Sequence, residues 1–148
     1  FRITRDVAPK INKPKPALIH NIMVPSLSGP KGKMSASNEN ETIYTTDSPE
    51  TVKKKINKYA FSGGQPDIEE HRKKGGNPDI DVSYQYLRIF FEPDDKKLKQ
   101  IYDDYRSGKM LTGELKIILI DKINEFLKSH QEKREKARNQ LEKFLLKD

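Results

Sequence analysis

The hydrophobic and polar positions follow two different patterns, which meet at about residue 47. Before it, two short apolar runs, ALIH at 17–20 and IMV at 22–24, lie between prolines and other turn-forming residues. Apolar runs this short favour brief buried strands over helices. After residue 47, apolar positions recur at the spacing of amphipathic helices. The pattern therefore predicts a strand-and-loop part followed by a bundle of helices.

The second part contains recognisable helix starts. Ser48 is predicted to cap the first helix, since its hydroxyl group is followed by a proline and a glutamate in the first turn. Asp67 is predicted to begin the second helix and Thr112 to cap the last and longest one. The predicted helices cover about residues 48–61, 67–74, 81–91, 98–107 and 114–146.

The apolar positions on these helices are the expected core. They form a broad stripe in the first half of the last helix, whereas its second half is mostly charged and is predicted to be a solvated extension with sparse apolar anchors. The aromatic residues of the middle helices are interpreted as core rather than as a stacking surface for RNA bases. The predicted core residues are Val52, Ile56, Tyr59, Tyr84, Tyr86, Phe90, Tyr102, Tyr105, Leu115, Ile118, Leu119, Ile123, Phe126 and Leu127, with anchors at Leu141, Phe144 and Leu145.

The composition adds a strong positive charge to this picture. Of the 148 residues, 34% are charged and 33% hydrophobic, and the formal net charge is +7. A surplus of lysine and arginine favours polyanionic partners such as nucleic acid, nucleotides or an acidic membrane surface. A lysine-rich solvated surface explains the same surplus, so charge alone leaves both interpretations open.

The sequence lacks the residues that several kinds of site require. It contains no cysteine, which excludes disulfides, cysteine-based zinc sites and thiol catalysis and fits a reducing compartment. No apolar run approaches the roughly 18 residues of a membrane span, so no membrane partner is expected. The start, FRITRDVAP, has neither the apolar segment of a secretory signal nor an initiator methionine. We therefore expect a piece of a longer polypeptide.

The stretch KGKMSASN at 31–38 carries the candidate chemistry. It ends the flexible stretch SLSGPKGKMSASN, in which Lys33 offers a positive charge on a long stem and Ser35 and Ser37 offer hydrogen-bond donors. Such a loop can hold phosphate and stabilise charge that develops on it during a reaction. It is not a Walker loop, because Met34 follows the Gly-Lys pair where Ser or Thr is required. From residue types alone, an ordinary surface loop is the favoured interpretation.

The order of residues around this loop resembles a known family. KMSAS at 33–37 resembles KMSKS, the second signature of class I aminoacyl-tRNA synthetases. The resemblance to the C-terminal half of eukaryotic-type tryptophanyl-tRNA synthetases runs from Phe1 to about Leu127. It is carried, in the same order, by FRITRDVAP, PKPALIH, TVKKKINKYAFSGG, EEHRKKGGNPDIDVSYQYL and DYRSGKMLTGELK. KMSAS and AFSGG indicate the tryptophan family over its tyrosine relative.

The resemblance implies both a fold and an activity. Residues 1–47 would be the C-terminal part of a Rossmann-type catalytic domain and residues 48–148 a helical anticodon-binding domain, so the chain would be mostly α. The family uses ATP and Mg²⁺ to activate L-tryptophan as tryptophanyl-adenylate and then transfers it to tRNA(Trp). Its members are usually homodimers, and a cytoplasmic location is implied. The family's HIGH-like first signature and tryptophan pocket do not occur here, so the isolated chain is expected to form no adenylate.

The resemblance also implies an ATP site. Lys33 is the implied catalytic residue, because it would contact the leaving pyrophosphate. The fourth signature position is Ala36 instead of a lysine, and Lys31 could supply part of the missing charge. Met23 and Val24 would line the adenine pocket, although packing in the core is the interpretation that their residue types favour. The implied ATP-binding residues are Lys31, Lys33, Met34, Ser35, Ser37, Met23 and Val24.

The implied tRNA-binding residues lie in the first helix and in the loop after it. Lysines of the helix would contact phosphates without reading sequence, and a solvated helix face is the alternative. Gln65 and Asp67 could bond to base edges, and Phe61 could stack on an unpaired base, although core packing is the favoured interpretation of Phe61. The implied residues are Lys54, Lys55, Lys58, Phe61, Gln65 and Asp67.

A second hypothesis stands beside the synthetase. A non-catalytic basic module of helices that binds RNA or a protein scaffold would explain the charge and the helical pattern. It gives no reason for a mobile phosphate loop directly after a strand-like run, and this feature favours the synthetase.

Overall fold

The structure, a computed structural model, describes residues 1–145. These residues are mostly helical and contain one two-stranded hairpin, which confirms the predicted mostly α class. In chain order the elements are α1 (Arg2–Val7), a 3-10 turn (Ala8–Ile11), β1 (Pro25–Ser26), β2 (Gly29–Lys33), a 3-10 turn (Glu39–Glu41), α2 (Pro49–Tyr59), α3 (Ile68–Lys74), α4 (Val82–Tyr86), a π-helical turn (Leu87–Phe91), α5 (Asp95–Arg106), α6 (Thr112–Arg138) and a 3-10 turn (Leu141–Lys143).

Side chains cap the first helices of the bundle as the sequence predicts. The hydroxyl oxygen of Ser48 accepts a hydrogen bond of 3.2 Å from the backbone N–H of Thr51 at the start of α2. Asp67 accepts one of 2.8 Å from the N–H of Glu70 in α3, and Asp81 accepts two at the start of α4. Each bond satisfies a backbone donor that has no partner inside its own helix.

The start of α6 differs from the prediction. Thr112 is the first residue of this helix and not its cap, and its hydroxyl oxygen lies 3.1 Å from that of Ser62. The backbone N–H of Leu111 donates instead to the carboxylate of Glu114 over 2.7 Å. The carboxylate of Glu114 thus takes over part of the capping role that the sequence predicts for Thr112.

The end of α6 is also earlier than predicted. The helix ends at Arg138, whereas its predicted end at Leu146 lies outside the described residues. The expected anchors Leu141, Phe144 and Leu145 are 58%, 74% and 61% exposed, so the prediction that they hold this end is wrong. The second half of the helix carries mainly charged residues, which leaves little apolar surface to pack against the bundle.

One hydrophobic core joins the hairpin to the helices. Leu27, at the tip of the hairpin, is fully buried in the same cluster as the apolar faces of α2, α4, α5 and α6. Phe90 and Phe126 are 54% and 53% exposed, so the prediction that they belong to the core is wrong. The confirmed core residues are Val52, Ile56, Tyr84, Tyr86, Tyr105, Leu115, Leu119, Ile123 and Leu127.

The two predicted strands at 17–20 and 22–24 are wrong. Neither run has regular secondary structure, and Ile19, Ile22 and Met23 are 91%, 72% and 72% exposed. A strand needs a neighbour that satisfies its backbone N–H and C=O groups. The hairpin is the sole sheet among the described residues, and it does not include these runs.

Candidate functional site

The hairpin of β1 and β2 leads directly into the KMSAS loop. The strands are antiparallel, with Pro25 opposite Lys33 and Ser26 opposite Gly29, and the pairing is irregular between them. Gly29 has a φ of 140°, which glycine adopts readily. Gly32 passes so close to β1 that a Cβ atom there would lie 2.9 Å from Oγ of Ser26. The stretch expected to be flexible is therefore a tight hairpin as far as Lys33.

Lys31 and Lys33 extend from β2 into solvent. Both side chains are exposed, and neither forms an ion pair within residues 1–145. The two lysines lie two residues apart at the end of β2, which brings their positive charges close together in the chain. Two exposed positive charges so close together can attract an anion.

The loop that follows Lys33 is held by a backbone hydrogen bond and by one packed side chain. The backbone N–H of Met34 donates to the carbonyl oxygen of Val24 over 3.0 Å, and the Met34 side chain packs against the core. The hydroxyl oxygens of Ser35 and Ser37 lie 2.8 Å apart, and both serines are exposed. The geometry thus anchors the loop at Met34 and leaves the two hydroxyl groups open to solvent.

Two side chains beyond the loop hold its backbone in place. The hydroxyl of Thr42 donates to the carbonyl oxygen of Ser35 over 2.6 Å, and the hydroxyl of Tyr44 donates to that of Ala36 over 2.7 Å. Both acceptors belong to the KMSAS loop itself. Its conformation therefore depends on the segment 42–47, for which the sequence offers no signal beyond the presence of two hydroxyl groups.

Lys55 is buried and is not available to RNA, so its prediction as a tRNA contact is wrong. Its ammonium group lies 2.7 Å from the carboxylate of Asp47 and donates to the carbonyl oxygen of Thr42 over 2.9 Å. It also lies 4.5 Å from the centre of the Tyr44 ring, within cation–π range. Lys55 follows Val52 by one helical turn and therefore lies on the buried face of α2.

The two candidate adenine-pocket residues lie just before the hairpin. Met23 is exposed, so the expectation that it packs in the core is wrong, whereas Val24 is half-buried against the core. Both precede β1, so they lie on the chain directly before the strand that pairs with Lys33.

Lys54 and Lys58 differ from Lys55 by being exposed on α2. Lys58 lies 5.2 Å from the centre of the Tyr59 ring, and neither lysine forms an ion pair within the described part of the chain. This face of α2 is therefore free to contact phosphates.

The loop between α2 and α3 uses some of its candidate base-reading groups internally. The amide nitrogen of Gln65 donates to the carbonyl oxygen of Gly75 over 3.0 Å, and Asp67 is the cap of α3. Phe61 is 41% exposed, and its ring lies against Gly29 of the hairpin. The three residues lie on one loop, but Gln65 and Asp67 already have structural partners.

A buried polar network under this loop was not predicted. The carboxylate of Asp81, which is fully buried, accepts hydrogen bonds from the N–H of Gly63 and from the hydroxyl of Tyr105, at 2.8 Å and 2.7 Å. Burial, reinforced by this carboxylate, raises the pKa of the Tyr105 hydroxyl group. The hydroxyls of Ser62 and Thr112 complete the network. An acid at a helix start indicates a cap, but nothing in the sequence pairs it with a tyrosine 24 residues away.

The described residues contain no cluster of three or more His, Asp or Glu side chains that could bind a metal ion. Among the same residues, no helix is both long and apolar enough to cross a membrane.

Residues 1–128 match the family model for class I tRNA synthetases (W and Y). The chain is 58% identical over 144 residues to the tryptophan–tRNA ligase of Sulfurisphaera tokodaii, which covers 97% of this chain and 38% of the relative. It is 52% identical over 143 residues to the cytoplasmic tryptophan–tRNA ligase of Homo sapiens, with coverages of 97% and 30%.

A solved structure of a tryptophanyl-tRNA synthetase has a similar fold. The tryptophanyl-tRNA synthetase of Aeropyrum pernix superposes with a TM-score of 0.85 at 37% identity, over 93% of this chain and 38% of that one. The chain spans between 30% and 38% of the length of the curated relatives described above.

Proposed function

The chain belongs to the class I tRNA synthetase family of the tryptophan and tyrosine enzymes, and on this basis we propose that it is the C-terminal part of a tryptophan–tRNA ligase. The observation that carries the proposal is the KMSAS loop, which follows a tight hairpin and exposes the side chain of Lys33 to solvent. A non-catalytic module of helices gives no reason for such a loop.

The proposed reaction has two steps. A carboxylate oxygen of L-tryptophan attacks the α-phosphorus of ATP, and the bond from this phosphorus to the bridging oxygen of the β-phosphate breaks, which releases pyrophosphate. A hydroxyl group of the terminal adenosine of tRNA(Trp) then attacks the carbonyl carbon of the adenylate, and AMP leaves. Lys33 would neutralise the negative charge that grows on the departing pyrophosphate, which lowers the barrier of the first step.

The other residues of the ATP site have supporting roles in this proposal. Lys31 would add positive charge two residues from Lys33, and the hydroxyls of Ser35 and Ser37 would donate to phosphate oxygens. Met34 would hold the loop through its packing against the core. Met23 is exposed and available to line the adenine pocket beside Val24.

Mg²⁺ would accompany ATP in this reaction, but the described residues offer no metal cluster of their own. Mg²⁺ is often bound largely through substrate phosphates. No step is therefore assigned to a metal ligand of this chain. The chain's own contribution to adenylate formation comes from Lys33.

The proposed domain boundary lies between Asp47 and Ser48. Residues 1–47 would complete a Rossmann-type catalytic domain, and 48–148 would form the anticodon-binding domain. The helix cap at Ser48 and the change from hairpin to helices support this division. The exposed Lys54 and Lys58 would contact tRNA phosphates. Phe61, Gln65 and Asp67 would face the anticodon, with the first of these available for stacking.

The proposed setting of the whole enzyme is a homodimer in the cytoplasm. The cytoplasmic location of the human relative supports the second part of this proposal. Light scattering on the full-length synthetase would test the first part, since a mass of one protomer would contradict it.

The experiment that tests the proposed function is tryptophan-dependent exchange of pyrophosphate into ATP. In the full-length synthetase, Lys33→Met is expected to lower kcat by about 100-fold or more, as the loss of one transition-state donor does in other enzymes. The KM for tryptophan should stay within about twofold, because the ammonium group acts on the phosphates.

A matched control removes a charge elsewhere. Lys96→Met, on the exposed surface of α5, should leave the exchange rate unchanged. An unaltered kcat in Lys33→Met would refute the catalytic role. Absence of tryptophan-dependent exchange in the unmodified full-length protein would refute the function itself and favour the RNA-binding module.

A further inference from the structure

We propose that Lys55 is the positioning residue of the KMSAS loop, and that it links the conformation of this loop to the helical bundle. The inference rests on the proposed function and adds to it a residue that touches no substrate. Lys55 is the sole buried lysine among residues 1–145, with an exposure of 8%. A buried lysine needs a partner for its charge, so the contacts of its ammonium group show which segments it holds in place.

A first path leads from Lys55 to the loop through Thr42. The ammonium group of Lys55 donates to the carbonyl oxygen of Thr42 over 2.9 Å. The hydroxyl group of the same threonine donates to the carbonyl oxygen of Ser35 over 2.6 Å. Ser35 is two residues from Lys33, so the buried ammonium group is connected to the signature through two hydrogen bonds and one residue.

A second path runs in parallel through Asp47 and Tyr44. The carboxylate of Asp47 accepts from the ammonium group of Lys55 over 2.7 Å and from the backbone N–H of Tyr44 over 3.0 Å. The hydroxyl of Tyr44 then donates to the carbonyl oxygen of Ala36 over 2.7 Å. The two paths end on adjacent carbonyl groups of the loop, which fixes the orientation of the peptide unit between them as well as its position.

The frame that carries these paths is held from a second side. The amide group of Gln131 on α6 donates to the carbonyl oxygens of Thr45 and Asp47, over 3.0 Å and 3.1 Å. The segment 42–47 is therefore clamped between α2 and α6. Lys55 is the member of this clamp that reaches both paths, which distinguishes it from Gln131.

The chemical consequence concerns the placement of Lys33. A cation that stabilises developing charge must stand at the position of that charge in the transition state, and a displacement of about 1 Å can cost up to about 100-fold in rate. Lys55 would thus affect the chemical step without contact with ATP. Tryptophan binding does not use this loop in the proposal, so its KM should be spared.

The test uses the full-length synthetase and three variants. Lys55→Met keeps the length of the stem and removes the ammonium group, Lys55→Arg keeps the charge, and Lys96→Met removes a charge from the exposed surface of α5. In pyrophosphate exchange, Lys55→Met should lower kcat by about tenfold to 100-fold, with the KM for tryptophan within twofold. Lys55→Arg should recover part of this loss, and Lys96→Met should match the unmodified enzyme.

A second measurement separates this inference from the proposed function. Amide hydrogen exchange needs no substrate, and Lys55→Met should speed exchange in residues 35–47 while exchange in α4 and α5 keeps its rate. If the loop amides are unchanged, or if kcat of Lys55→Met equals that of Lys96→Met, the positioning role is overturned. Altered loop amides in a protein without tryptophan-dependent activity would support the clamp and refute the function.

The proposal can also be tested where Lys55→Met fails to fold. Tyr44→Phe and Thr42→Val each cut one path near its end and leave the pair of Lys55 and Asp47 intact. Each single variant should lower kcat less than the double variant that combines Tyr44→Phe with Thr42→Val. The thermal midpoint shows whether each variant folds. A double variant that folds and retains full kcat would overturn the inference.

Discussion

The hydroxyl group of Tyr86 donates a hydrogen bond of 2.7 Å to the carbonyl oxygen of Pro25, which lies 61 positions earlier in the chain. Tyr86 belongs to α4 and is 2% exposed, and Pro25 begins the hairpin that leads to the signature loop. This bond and the buried side chain of Leu27 fix the hairpin on the bundle. The position of the loop therefore depends on a tyrosine that the sequence identifies merely as core.

We expect Tyr86→Phe to lower the free energy of unfolding by about 1–3 kcal/mol, because the carbonyl oxygen of Pro25 would stay buried without its donor. Urea denaturation of the chain measures this change. The control is Tyr59→Phe, since the hydroxyl of the half-exposed Tyr59 makes no hydrogen bond within residues 1–145. Equal stability of Tyr86→Phe and the unmodified chain would contradict the structural role of the bond.

Gly75, at the end of α3, allows a close contact between two helices. Its φ is 72°, and a Cβ atom there would lie 1.8 Å from the carbonyl oxygen of Arg106 in α5. Gly75→Ala is expected to destabilise the chain by more than about 3 kcal/mol, because backbone atoms on both sides would have to move. The thermal midpoint and the urea midpoint should both fall.

Gly113 provides the matched control for this substitution. A Cβ atom at Gly113 would meet nothing within 4 Å, and alanine favours helices by up to about 1 kcal/mol over glycine. Gly113→Ala in α6 should therefore leave stability unchanged or raise it slightly. If both alanine variants behaved alike, the packing of α3 against the end of α5 would be wrong.

Local signals in the sequence predicted the helices well, because a cap and its helix lie within a few residues of each other. Ser48 and Asp67 are examples, since each accepts a bond from a backbone N–H three residues later. Thr112 failed as a cap because its hydroxyl is drawn to Ser62 and Tyr105 instead. These partners lie in the loop after α2 and in α5, and they leave no trace at the spacing of a cap.

Side-chain contacts that the local sequence pattern does not show explain most of the wrong predictions at the site. Lys55 stands in a run of three lysines that suggests a solvated face, yet it lies one turn after Val52 and enters the interior. Its partner Asp47 precedes the helix by two residues, and its carboxylate lies 2.7 Å from the ammonium group of Lys55. The helical spacing from Val52 indicates that Lys55 is buried. Its partner Asp47 can be identified only from the folded structure.

The buried tyrosines predict a loss of stability at alkaline pH. Burial raises the pKa of the hydroxyl groups of Tyr86 and Tyr105 above their ordinary value of 10.0. The unfolded chain releases these protons near pH 10, whereas the folded chain retains them. Their contribution to the free energy of unfolding is therefore complete below pH 10 and is lost as the pH rises toward the higher pKa of the folded state.

Urea midpoints between about pH 8 and pH 11 check this prediction. Tyr105→Phe should be less stable at neutral pH, because Asp81 loses a hydrogen bond, but its stability should fall less steeply above pH 10. A slope as steep as that of the unmodified chain would show that this hydroxyl does not set the alkaline limit.

The exposed lysines of α2 predict a salt-dependent contact with tRNA. Each phosphate that a lysine neutralises adds about 0.7–0.9 to the slope of log affinity against log salt concentration. The double variant Lys54→Glu and Lys58→Glu should therefore weaken tRNA binding by the full-length synthetase and reduce this slope by about 1.4 to 1.8. Fluorescence anisotropy with labelled tRNA at several salt concentrations measures both quantities.

A control with the same change of charge shows whether position matters. Lys96→Glu combined with Lys97→Glu alters two exposed lysines on α5 by an equal amount. If both double variants weaken binding equally, the net charge of the chain and not the α2 face accounts for the attraction. A loss confined to the α2 variant would support a phosphate contact on the exposed part of the helix that also carries the buried Lys55. Because the exposed lysines of α2 make no hydrogen bond or ion pair with the described segment 42–47, adenylate formation in the α2 variant should be unchanged without tRNA.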